Sequence, residues 1–168
     1  MILDMRHIDF INPYGALLLL ATSRCIKQNS GYRVKFESLQ DKVHAYLERM
    51  DFFSEGSEWL YTDDVPTDTF LRSPASSQLL EITRLTTTAV RTRFHGRTRK
   101  VLGTWLPARS NELNEIVTVL SEICGNAEEH SQDQGHAMIQ SYRHQSHTEI
   151  DIVVIDLRIP VKTITYSG

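Results

Sequence analysis

The sequence predicts a mixed α/β and α+β protein in two parts: a β-α-β-α unit over residues 1–56, then an α+β region over 78–168 containing an antiparallel hairpin. Three observations carry this reading. Two short runs rich in strand formers alternate with two helical stripes before residue 50. Gly56, and then a stretch of Pro, Ser, Thr and Asp over 57–77, interrupt the pattern as a linker or long loop. Near the carboxyl end, two alternating segments flank the polar turn His144-Gln145-Ser146-His147.

The elements follow in order. Met1 to Ile8 reads as a strand, and Asn12-Pro13-Tyr14-Gly15 supplies the turn chemistry that precedes a helix. Leu17, Leu18, Leu20, Ala21 and Cys25 give that helix an apolar face, and Asn29-Ser30-Gly31 stops it. Tyr32 to Glu37 is a second strand, parallel to the first because a helix connects them, and Leu39 to Met50 is a second helix. Beyond the linker, Gln78 to Thr83 forms a strand, and Ala89 to Trp105 a helical stretch that Pro107 closes. Ser110-Asn111 caps the next helix, with Glu112 and Glu115 near its positive end and Leu113, Ile116, Val117, Leu120 and Cys124 as its core stripe. Gly135 to Arg143 and Thr148 to Leu157 are the hairpin strands, expected to pack under that helix.

The totals exclude several classes. With 40% hydrophobic residues among 168, the chain can build a core. A formal charge of −3 provides no basic field for nucleic acid; the run Arg91, Arg93, Arg97, Arg99 and Lys100 could contact phosphate, but a cluster of this size is more often a solvated helix face. The apolar run Ala16 to Ala21 is too short to span a bilayer, and no secretory leader pattern precedes it. A cytoplasmic protein with reduced Cys25 and Cys124, and without a membrane or nucleic-acid partner, is therefore expected.

Glu122, Asn126 and His130 recur every four residues, so they share one flank of the helix that Ser110-Asn111 caps. A carboxylate, a carboxamide and an imidazole there could orient a water and hold a metal ion, although polar residues on an exposed helix flank are also ordinary. His136, His144 and His147 lack the pair spacing of a zinc knuckle, and the last two read as exposed turn histidines. Trp59, Trp105 and the phenylalanines read as packing residues, and no nucleophile elbow is present.

The wider string Leu120-Ser-Glu-Ile-Cys-Gly-Asn-Ala-Glu-Glu-His-Ser131, followed by a strand ending Ile152-Val-Val-Ile-Asp156, resembles the N-box and adenine strand of histidine-kinase-like (GHKL) ATPases related to anti-sigma-factor serine kinases. The resemblance implies a partial Bergerat-type α/β sandwich over 78–168. It also implies ATP and magnesium as ligands, with Glu122 as catalytic base, Asn126 on magnesium, Asp156 on the adenine amino group and His130 beside the phosphates. Where that family carries a D-x-G-x-G loop, this chain has Asp156-Leu157-Arg158-Ile159-Pro160, and Arg and Pro oppose the tight turn that glycines permit. The sequence stops at Gly168, before a second glycine box or nucleotide lid, so the resemblance implies an incomplete ATP site.

The first unit, with Ile8-Asp-Phe-Ile-Asn-Pro-Tyr-Gly15 before its helix, resembles a STAS domain. Tyr14 stands where that family carries the phosphoacceptor serine, and the turn around Asn12 and Tyr14 is the implied partner surface. Two functions follow from the resemblances. One is a regulatory protein that acts through protein–protein interaction, its ATP binding weak or lost. The alternative is an active ATP-binding regulator or serine kinase. An early-ending sheet leaves an open edge, from which a homodimer is expected.

Overall fold

In a computed structural model, residues 1–65, 79–105, 110–130, 135–156 and 162–167 are described. The chain divides into two compact units, Met1–Ser73 and Pro74–Gly168. As the sequence predicts, both mix helix and strand, and one of the two sheets is antiparallel.

In the first unit, β1 (Ile2–Asp4) leads to α1 (Pro13–Ser30), whose ends are both set by local chemistry. The Asn12 side chain accepts a hydrogen bond from the Gly15 amide at 2.8 Å, and Pro13 occupies the first turn, where its missing N–H costs nothing. At the other end Gly31 takes φ 77°, and its N–H donates to the Lys27 carbonyl at 2.9 Å. The buried stripe runs through Ala16, Leu17, Leu20, Ser23 and Arg24. Leu18 and Cys25, expected on the core face, are exposed, because they lie on the reverse side of a helix whose contact positions repeat at three and four. The Arg24 guanidinium is buried 5.2 Å from the Trp59 ring.

β2 (Val34–Glu37) pairs parallel to β1, with Ile2 opposite Lys35 and Asp4 opposite Glu37. α2 (Asp41–Arg49) and the one-turn α3 (Phe52–Glu55) follow, and Asp51 turns the chain between them at φ 62°. The stretch read as linker opens with a further strand: β3 (Leu60–Thr62) pairs parallel to β2 and completes a sheet of order β1-β2-β3. It forms because Trp59 and Leu60 both donate to the Gly56 carbonyl, a tight corner that drops Leu60 into the core beside Leu20. The rest of the expected linker, 66–77, lies outside the described residues. Phe36, Phe52 and Phe53 pack edge to face, with centroids 5.2 to 6.3 Å apart.

The second unit runs β4 (Leu79–Leu85), α4 (Thr88–Trp105), α5 (Ser110–His130), β5 (Gly135–Arg143), β6 (Thr148–Ile155) and β7 (Lys162–Ser167). Its sheet has the order β4-β5-β6-β7, antiparallel throughout, with a register shift in β4 between Leu80 and Thr83. The expected hairpin is present and gains a third strand. β7 occupies residues whose alternating Lys-Thr-Ile-Thr-Tyr-Ser suits a strand, but which begin two positions after Pro160 in the sequence. One face of the sheet, carrying Ala137, Ile139, Ile150, Ile152 and Val154, joins a core with Phe94, Val101 and Leu102 of α4 and Leu120 and Cys124 of α5. No described helix is long and apolar enough to cross a membrane.

Candidate functional site

The stripe Leu113, Ile116, Val117, Leu120 and Cys124 turns α5 toward the sheet. Glu122 and Asn126 each follow a buried residue by two positions, about 200° round the helix, and both are exposed. The two therefore share a flank one turn apart, on the side of α5 turned away from the core. His130 is the last residue of α5, and its side chain lies outside the described residues. Asp156 directly follows β6 and is half-buried, whereas residues 157–161 lie outside the described residues.

Between Glu122 and Asn126 the helix is approached by a cation. The Arg91 guanidinium from α4 comes so near Gly125 that a β-carbon there would stand 3.2 Å from its Nη1. Glycine at 125 thus makes room for Arg91, which gives this residue of the N-box-like string a packing reason of its own. Burial pushes the Cys124 thiol up to about 12, with Arg91 partly opposing the shift. Burial thus favours the neutral thiol over the reactive thiolate. Burial, then the Arg91 charge, holds the neighbouring His95 below the usual imidazole range.

In the first unit the turn before α1 borders an apolar cavity of about 520 Å³, lined by Leu3, Asp4, Met5, Ile8, Phe10, Ile11, Asn12, Gly15, Leu18 and Leu19. Asn12 is committed through its side-chain oxygen to the helix cap, so its contribution at the wall is structural. Tyr14 is 39% exposed and is not among the lining residues. The apolar residues of the wall are unusually open to water: Phe10 is 68% exposed, Leu18 40% and Ile8 38%. Asp4 gives the wall one charge; a hydrogen bond from the Arg6 backbone, with the Arg6 guanidinium at 2.7 Å, holds its carboxyl below the ordinary range. The sequence reading missed Phe10 and Leu18 as surface residues. The signal available for Leu18 was its position off the three-and-four repeat of Leu17, Leu20 and Arg24.

No protein-family profile, curated protein or solved structure matches this chain.

Proposed function

We propose that this chain is a regulatory protein that acts by binding another protein, with a STAS-like first unit and a second unit derived from a histidine-kinase-like ATPase whose ATP affinity is weak or lost. The observation that carries this reading is the cavity before α1, where Ile8, Phe10 and Leu18 offer water a continuous apolar wall. Clustered exposed apolar side chains are costly on a free surface and mark contact sites. Arg158 and Pro160, standing where the resembled family has glycines, support weak nucleotide binding. The exposed outer side of α5 that carries Glu122 and Asn126 supports it too, since magnesium and phosphate bound there would be held largely by water.

Calorimetric titration with magnesium and ATP separates this reading from its alternative. Negligible heat into the millimolar range is expected. Micromolar binding that Asn126→Ala abolishes would instead establish an ATP-binding regulator or serine kinase, the reading favoured by the shared flank of Glu122 and Asn126. A homodimer belongs to the same proposal, because the outer edge of β7 pairs with no further strand among the described residues. Light scattering is expected to give a dimeric mass; a monomer at high concentration would remove that element.

A further inference from the structure

We propose that the β5–β6 hairpin binds a divalent transition-metal ion of the zinc type through His144, His147 and Glu149. Each of the three offers one ligand atom, and these atoms all lie within 4.8 Å of one another. The His144 Nε2 to Glu149 Oε2 distance is 3.4 Å, and two ligands each about 2.0–2.1 Å from a tetrahedral zinc ion stand about 3.3 Å apart. One pair of the set is therefore already at ligand spacing, and binding requires His147 to close and its ring to turn out of the His144 stack, so that the in-plane lone pairs of both rings meet the ion.

The backbone explains why these residues meet. The His144 amide donates to the His147 carbonyl at 2.9 Å, which fixes the two residues opposite each other at the mouth of the turn. Glu149 lies two residues beyond His147, on the same face of β6, in register with Tyr142. His147 Nδ1 is 3.1 Å from the Ser146 hydroxyl. An Nδ1–H donated to that oxygen leaves Nε2 with its lone pair outward, the arrangement by which an outer partner fixes a ligating histidine.

A surface ion pair between His144 and Glu149 accounts for two of the residues but not for the third. The rings of His144 and His147 stack with centroids 4.5 Å apart and planes 18° from parallel. Rotation of one ring out of this stack brings a nitrogen of each imidazole to one metal ion. Asp151, next along the same face of β6, places a second carboxyl group beside Glu149. Two imidazoles and a carboxylate suit zinc, nickel or copper and suit calcium or magnesium poorly. Three protein ligands also leave a coordination position for water.

The test uses the whole chain, stripped with a chelator and titrated calorimetrically with zinc chloride, with cobalt(II) absorption as a second readout. One zinc ion per chain with micromolar affinity is expected, with no heat from calcium chloride. His147→Ala and the near-isosteric Glu149→Gln should each weaken zinc binding at least about tenfold. Both residues stand at the exposed end of the hairpin, so circular dichroism should be unchanged, and Glu149→Gln retains the shape should His147→Ala perturb the fold. Cys25→Ser, which removes the exposed thiol, should leave affinity unchanged. Absence of zinc binding, or zinc binding that survives both hairpin substitutions or is lost in Cys25→Ser, overturns the proposal.

Discussion

The two units solve the problem of building a sheet in opposite ways. In the first, three short parallel strands are each separated in sequence by helices, so no two neighbours pair through a turn. In the second, β5, β6 and β7 are consecutive and antiparallel, and the β5–β6 ladder runs from His136 opposite Ile155 to Arg143 opposite Thr148. Parallel strands of three or four residues gain little from their own ladder, so the first sheet depends on what packs over it. The second has long local ladders and a separate helical layer. Core damage should accordingly be felt more sharply in the first unit.

The largest effect is expected at Phe36, fully buried on the middle strand of the parallel sheet and touching both Phe52 and Phe53. Phe36→Ala should cost about 3–5 kcal/mol and unfold the first unit, while hydrogen exchange shows the β5–β6 amides still protected. Loss of protection in both units together would break the contrast. Gly56→Ala comes next. A β-carbon at Gly56 would meet Leu20 at 2.8 Å and Leu60 at 2.9 Å, and such overpacking should destabilise the first unit by about 1–3 kcal/mol in urea unfolding. Asn12→Ala removes the α1 cap and should cost about 1 kcal/mol, while Asn12→Gly should cost only a few tenths. A much larger loss for Asn12→Ala would show that the side chain also supports the cavity wall.

The smallest effect sharpens the comparison from the other side. Asp151 has a raised folded pKa, so the folded state holds its proton more tightly than the unfolded chain does. Its stabilising contribution is present at low pH and is lost as pH rises from the unfolded value of about 3.9 through the raised folded value. Asp151→Asn should therefore stabilise the second unit at pH 7. The gain should disappear as the solution is acidified below that window, which thermal unfolding across a pH series will show.

Much of this architecture was legible because it is written locally. The α1 boundaries follow from Asn12, Pro13 and Gly31, and the β5 boundaries from Gly135 and Arg143, as the sequence predicts. What escaped was set by distant partners. Leu60–Thr62 is too short to show a period, and it becomes a strand where the corner at Gly56 sets it against the edge of β2. The two unit sheets also differ here, since β7 shows alternation but lies past a proline that argues against continuation. At the candidate sites, the common flank of Glu122 and Asn126 follows from helical spacing alone. The cavity does not, because hydrophobicity cannot tell that Phe10 faces water while Ile11 is 8% exposed. Nor does the hairpin triad: Glu149 joins the histidines only through the register of β6.

The two cysteines stand one in each unit. Cys25 is exposed on α1, and Cys124 is fully buried on the core-facing side of α5 with its thiol pushed up to about 12. A brief pulse of alkylating reagent will mark Cys25 at once, and Cys124 only in molecules whose second core has opened. Counting adducts by mass after successive delays turns the pair into an internal clock. One thiol reports that reagent was present, and the other records when the antiparallel half of each molecule gave way.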